Sequence, residues 1–270
     1  MQTKQNSVKS IIIANPAGNI TAFVSGGQNI SACERIRISN ELLADKTLKV
    51  EQVGFIIEPE KKDKLWRLEM MGGEFCGNAA RSFGLWTAKQ LNLNGKGIVK
   101  IEISGASAPA AVEVDMETHY AKLELPAPYA NSFIAFNGES LPVYFFEGIT
   151  HIIACNIPPD AKTFFAIKTA AESSWTKLGQ PCPEALGVMF YDENKKLLSP
   201  AVFVYRTGTL VFESSCGSGS AAFVCFFFEE AQDTAGKLPI TQPGGIIEAG
   251  IEKKNGKILS ITIGGNVGFS

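Results

Sequence analysis

Short runs of alternating apolar and polar residues dominate this chain, and turn residues sit where the alternation stops. Ser10 to Ala14 and Ala22 to Ser25 read as strands around the turn Asn15-Pro16-Ala17-Gly18-Asn19, with Val50 to Ile57 and Leu65 to Met70 as further strands. Lys100 to Ser104, Ala111 to Met116 and Ala121 to Leu125 alternate as half-buried strands do. Two segments change period. Ser31 to Leu43, with Ile30 before it, carries Cys33, Ile36, Ile38, Leu42 and Leu43 in an irregular helical pattern and reads as a helix. Gly77 to Leu91 sets Ala79, Ala80, Phe83, Trp86 and Leu91 on one helical face with no internal proline.

Pro126-Ala127-Pro128 then interrupts the pattern and marks a boundary. Beyond it, Leu141 to Phe146, Ile152 to Asn156, Gly187 to Tyr191 and Ala201 to Tyr205 read as strands, and Ala161 to Thr176 as a helix. Leu210 to Glu213 is a strand leading into a turn and the helix Gly219 to Glu230, and Ile246 to Ile251 and Ile258 to Ile263 close the chain. Both halves therefore contain the order strand, cysteine turn, helix. The pattern predicts an α/β protein of two similar lobes, residues 1–127 and 128–261, with the two helix starts meeting at a cleft.

Composition narrows the function classes. A 45% hydrophobic share with 19% charged residues suits an ordered globular protein, and 25 basic against 27 acidic residues give no electrostatic case for nucleic acid or an anionic membrane. The apolar run Ile11 to Ala14 is too short for a signal-peptide core, and Ala221 to Phe228 falls below the roughly 20 residues of a spanning helix. A cytoplasmic location is the default expectation. Cysteines 33, 76, 155, 182, 216 and 225 are expected as reduced thiols. With no C-x-x-C and only His119 and His151 to add imidazole, no metal site is expected, and Cys33, Cys155, Cys182 and Cys225 read as buried small hydrophobes.

The remaining two cysteines carry the candidate chemistry. Glu74-Phe75-Cys76-Gly77-Asn78-Ala79-Ala80-Arg81 and Ser215-Cys216-Gly217-Ser218-Gly219-Ser220-Ala221-Ala222 each place a cysteine where a helix begins. There the unpaired N–H groups and the positive end of the helix dipole lower a thiol pKa and attract anions. Two thiols so framed suggest a pair facing one substrate. Glu74, Arg81 and Phe226-Phe227-Phe228 read as helix-end, surface and core residues.

These two phrases, with Gln242-Pro243-Gly244-Gly245 and a variant Gly-Asn start at Gly18-Asn19, resemble the diaminopimelate epimerase superfamily over almost the whole chain. Glu51-Gln52-Val53-Gly54-Phe55-Ile56, Gly187-Val188-Met189-Phe190 and Phe212-Glu213-Ser214-Ser215-Cys216 look most similar to the histidine racemases of staphylopine-type metallophore pathways. The resemblance implies two pseudo-symmetric lobes, each a curved, mostly antiparallel sheet around a central helix, with residues 262–270 completing the first. It implies a cofactor-independent racemase in which Cys76 and Cys216 are opposing acid and base, and a free amino acid, as a small-molecule substrate, for partner. A homodimer stays open.

Substrate contacts are expected at Asn19, Glu51 and Glu213, and at Gly77, Asn78, Gly217, Ser218 and Gly219, where backbone N–H groups would meet the α-carboxylate. Asn19 fits equally a turn residue, Glu51 a solvated strand edge and His151 a structural role. True epimerases hold a second amino-acid head with asparagines and an arginine. Here the matching positions are Glu69 or Met70, Ile149 and Gly187, which disfavours diaminopimelate and favours a neutral or aromatic side chain, histidine first. The alternatives are a diaminopimelate epimerase, another isomerase of the same fold, a thiol switch without catalysis, and a dinucleotide fold suggested by Gly217-x-Gly219-x-x-Ala222.

Overall fold

The computed structural model describes residues 10–61, 64–178 and 182–270. The described residues form an α/β protein of many strands and four α-helices, and they divide into two compact units, residues 10–123 with Asn266–Ser270, and Glu124–Gly265.

In the first unit, β1 (Ile11–Asn15) and β2 (Thr21–Val24) pair antiparallel across the predicted turn. Gly18 N–H donates to Asn15 Oδ1 at 2.7 Å, while Ala17 and Gly18 take φ of 59° and 89°. Ala17 thus holds a left-handed backbone that a residue with a Cβ adopts reluctantly. α1 (Ala32–Ala44) starts at Ser31, whose hydroxyl accepts from Glu34 N–H. β3 (Gln52–Ile57) lies parallel to β2 and antiparallel to β4 (Arg67–Met70). Both strands start two residues later than the alternation suggests.

α2 (Gly77–Gln90) is buried from Asn78 to Leu85, so it is a core helix rather than an amphipathic surface one. A Cβ on Gly84 would fall 2.6 Å from Val112 side-chain atoms, so this glycine lets the strand that carries Val112 approach the helix axis. β5 (Lys96–Ile103), β6 (Ala110–Asp115) and β7 (Tyr120–Leu125) run antiparallel, with Val112 opposite Leu123 and Val114 opposite Ala121. Period-two alternation aims these apolar side chains inward. The strand Gly268–Phe269 pairs with β1.

The second unit opens with β8 (Ala130–Phe136) against β9 (Glu139–Phe145), which pairs with β10 (Ile149–Cys155). β10 lies parallel to β11 (Ala185–Asp192), which pairs antiparallel with β12 (Leu197–Val204). α3 (Ala161–Leu178) presents Phe164, Ile167, Ala171 and Trp175 to one face of this sheet, where Ile152, Ala154, Leu186, Val188 and Phe190 meet it. The alternate residues His151, Gly187 and Met189 consequently face the opposite way, toward α4 (Gly217–Phe227). A strand pair covered on both faces reads as a continuous apolar run, as Ile152–Ala154 and Leu186–Phe190 do.

β13 (Thr209–Phe212) leads to α4, and β14 (Thr234–Gln242), β15 (Gly245–Lys254) and β16 (Lys257–Asn266) form an antiparallel run. α4 begins two residues earlier and ends three earlier than the sequence suggests. β8 and β14 escape a pattern search because only Ile134 of β8 is fully buried and β14 carries Gly236 and Pro239.

Candidate active site in two cysteine turns

Cys76 is the N-cap of α2, with extended φ of −123° and ψ of 111°, and its Sγ accepts from Ala79 N–H at 3.5 Å. The thiol takes the place of the serine or aspartate oxygen that usually caps a helix. Behind it runs a buried polar string. Arg81 Nε donates to Asn78 Oδ1 at 3.2 Å, Asn78 Nδ2 to Asn19 Oδ1 at 3.5 Å, and Asn19 Nδ2 to Glu51 Oε2 at 2.9 Å. Each amide turns its oxygen toward the guanidinium and its NH2 toward the carboxylate, so the string is polarised in one direction from Arg81 to Glu51.

The string exists because β2 and β3 are parallel, with Thr21 opposite Gln52, which sets the residues before the two strands side by side. Glu51 N–H also donates to Ile20 O at 2.8 Å. Asn19 is therefore a buried bridging residue rather than a turn residue alone, and Glu51 an anchored carboxylate. Arg81 corrects the expectation of a surface residue, being fully buried. Burial brings its guanidinium down to about 10, while the charges of Tyr120 and Cys76 oppose that fall.

Cys216 repeats the cap on α4, with φ of −128°, ψ of 118° and its Sγ accepting from Gly219 N–H at 3.4 Å. Its frame is a closed clamp: Cys216 N–H donates to Gln242 Oε1 at 2.9 Å, Gln242 Nε2 to Ser220 Oγ at 2.8 Å, and Ser220 Oγ to Cys216 O at 2.7 Å. Gly244 N–H adds a bond to Ser214 O at 2.8 Å, tying the Gln-Pro-Gly-Gly turn to the cysteine turn.

The expectation that a helix start lowers the thiol pKa fails at Cys216. Burial first, and the Glu213 carboxylate second, push this thiol well above its ordinary value, outweighing the opposing Ser218 hydroxyl and Gly219 amide. The dipole acts on a residue that is only 8% exposed, and desolvation of the thiolate is the larger effect. Ser218 Oγ stands 3.6 Å from Cys216 Sγ, and His151 Nε2 stands 2.9 Å from Ser218 Oγ.

The candidate residues thus gather as two groups, one per unit: Asn19, Glu51, Cys76, Gly77 and Asn78, and Glu213, Cys216, Gly217, Ser218 and Gly219. Sequence reasoning missed the clamp residue Gln242, whose only signal was its place at the head of the Pro-Gly-Gly turn, and the link from His151 to Ser218. It also misplaced several residues. Cys33 and Cys182 are exposed, Cys155 is half-buried, and of the four cysteines set aside only Cys225 is buried. Phe227 is 54% exposed and Phe226 and Phe228 are half-buried, because α4 ends at Phe227 and the chain leaves the core there. A cleft of about 470 Å³ at the start of α3, lined by Phe136, Asn156, Asp160 and Lys162, contains neither helix-capping cysteine.

Among the described residues, no cluster of three or more His, Cys, Asp or Glu side chains is arranged to hold a metal ion, and no helix is long and apolar enough to cross a membrane. Residues 10–270 match the model of the histidine racemase CntK N-terminal domain. A histidine racemase of Fusobacterium nucleatum subsp. nucleatum is 32% identical over 260 residues, covering 91% of this chain and 89% of that protein. One from Staphylococcus aureus is 26% identical over 239 residues, covering 86% and 85%. Among solved structures, a hydroxyproline epimerase from Agrobacterium vitis shares the fold at a TM-score of 0.63 and 9% identity, over 99% of this chain and 93% of that one.

Proposed function

This chain belongs to the histidine racemase family and is an amino-acid racemase, and we propose that it inverts the Cα of histidine with two cysteines and no cofactor. The observation that carries the two-thiol reading is the repeated cap: in each unit a cysteine Sγ accepts from the backbone N–H three residues on, Ala79 in one and Gly219 in the other.

Inversion needs a base on one face of the α-carbon and an acid on the other. Cys76 as thiolate removes the Cα proton from one enantiomer and becomes a thiol, and the electron pair left on Cα delocalises into the α-carboxylate. Cys216 as thiol delivers its proton to the opposite face and becomes a thiolate. The reverse reaction exchanges the roles. The N–H groups of Gly77, Asn78, Gly217 and Ser218 suit the charge that develops on the carboxylate oxygens. The Gly219 N–H is already directed at Cys216 Sγ. Glu51, which also accepts from Asn19, and Glu213 are the candidates to receive the substrate ammonium.

Histidine is favoured by the names of the relatives and by what the chain lacks for a second amino-acid head. Glu69 is engaged by Arg35 and Arg67, and at Gly187 there is no side chain at all. A panel of L-amino acids and diaminopimelate, incubated with the protein in heavy water and followed by proton NMR at Cα, tests the reading. Histidine should lose its Cα signal and gain the opposite hand. Exchange of diaminopimelate without exchange of histidine would reverse the substrate ranking.

A further inference from the structure

The racemisation above leaves two groups beside Cys216 without a task, the imidazole of His151 and the hydroxyl of Ser218. His151 sits in the middle of β10 with no exposed surface, on the face turned to α4. Its strand neighbour is Gly187, and a Cβ there would fall 2.2 Å from His151 Nδ1, so the ring occupies space that only a glycine leaves open. The Phe146 ring meets the imidazole edge-on at 5.8 Å. Nε2 lies 2.9 Å from Ser218 Oγ, and Ser218 Oγ lies 3.6 Å from Cys216 Sγ.

The buried Nδ1 has no hydrogen-bond partner, and this fixes the direction of the string. Burial holds the imidazole down at about 3, so near neutral pH it is uncharged and carries one N–H. An N–H on Nδ1 would be an orphaned buried donor, which folded proteins avoid, whereas a lone pair there is the lesser cost. The proton therefore belongs on Nε2, which donates to Ser218 Oγ. The single hydroxyl hydrogen of Ser218 is then directed to Cys216 Sγ. We infer that His151 and Ser218 form a one-way donor string that readies Cys216 to carry negative charge.

The string rests on the two-thiol reading for its purpose. Cys216 must become a thiolate once in every round trip, yet it is buried and faces Glu213 from the end of β13. On the side of α4 it is met by the Gly219 N–H and the Ser218 hydroxyl, with His151 on β10 behind the latter. The two donors oppose the carboxylate and the loss of water. His151 is a positioning residue here: it keeps one tautomer and exchanges no proton with the substrate.

Alkylation of the whole protein by iodoacetamide across a pH series, read by mass spectrometry separately at Cys216 and Cys76, tests this without any substrate. Ser218→Ala should slow alkylation of Cys216 near neutral pH by about tenfold or more, the value of one hydrogen bond to a charged group, and leave Cys76 unchanged. Ser218→Thr, which keeps the hydroxyl, should restore most of the rate. His151→Phe should slow Cys216 less than Ser218→Ala does, and His151→Gln, which keeps an N–H, should recover part of that loss. The ring protons of His151, assigned by their loss in His151→Phe, should not titrate between about pH 5 and 8. An unchanged Cys216 rate in Ser218→Ala, equal slowing at both cysteines, or a His151 imidazole titrating in that range would overturn the string. Failure of the wild type to exchange Cα of histidine, with the selective slowing intact, would instead overturn the proposed reaction and leave the string standing.

Discussion

Gly187 and His151 stand opposite one another in the parallel pair β10–β11, and the imidazole fills the volume in which any other residue at 187 would place its Cβ, 2.2 Å from Nδ1. The position is thus set by a neighbouring side chain and not by backbone conformation, since Gly187 is absent from the positive-φ glycines. Gly187→Ala should displace the His151 ring, costing about 1–3 kcal/mol of stability as an overpacked core does. Urea unfolding measures the cost, and the same variant should slow alkylation at Cys216 more than at Cys76. A stability equal to that of the wild type would mean the sheet yields and the ring is not wedged.

The proposed two-thiol reaction predicts more than loss of activity. With Cys216→Ala, Cys76 retains the power to remove a proton from one enantiomer and return solvent deuterium to the same face. Cys76→Ala leaves the same power to Cys216 for the other enantiomer. Racemisation should therefore fall by about 100- to 10,000-fold in each variant, the range expected when an acid or base is deleted. Residual Cα exchange should persist with L-histidine in one variant and D-histidine in the other. Exchange of both enantiomers by either single variant would point to a different base.

Glu213 bears on the two roles of Cys216 unequally. Its negative charge adds to burial in raising the Cys216 thiol, so Glu213→Gln should lower that thiol's pKa and move the onset of its alkylation to lower pH. If Glu213 also holds the substrate ammonium, KM should rise by about 10- to 100-fold, the value of one charge-assisted hydrogen bond. A shifted alkylation profile with unchanged KM would confine Glu213 to the thiol.

Local sequence carried the elements whose period matched their surroundings. α2 was legible because Ala79, Ala80 and Phe83 repeat at helical spacing next to a capping cysteine, and β6 and β7 because only one of their faces is apolar. The errors share a cause: burial is decided by partners distant in the chain. Arg81 looks like a surface cation on its own helix, yet β-strands surround α2, and Asn78 and Asn19 link it to Glu51. Phe226 to Phe228 look like core, yet α4 ends among them. The relation of His151 to Ser218 spans 67 residues and depends on which face of β10 the ring takes, which a half-read strand beginning at Ile152 could not reveal.

The clamp around Cys216 gives the most direct test of how the thiol is held. Gln242 is 2% exposed, with its amide oxygen on Cys216 N–H and its NH2 on Ser220 Oγ. Gln242→Leu keeps much of the volume but leaves the buried Cys216 N–H without that acceptor, a cost of about 1–3 kcal/mol. Gln242→Glu restores the acceptor while removing the donor to Ser220 and adding a carboxylate on the Cys216 side. If the clamp only stabilises the fold, both variants should lower the urea midpoint and leave the pH dependence of Cys216 alkylation unchanged. If it also sets the electrostatics of the thiol, Gln242→Glu alone should move that dependence to higher pH, because added negative charge disfavours the thiolate. The short path from the Gln242 amide through Cys216 N–H to the thiol favours the second outcome, and an unshifted profile in Gln242→Glu would exclude it.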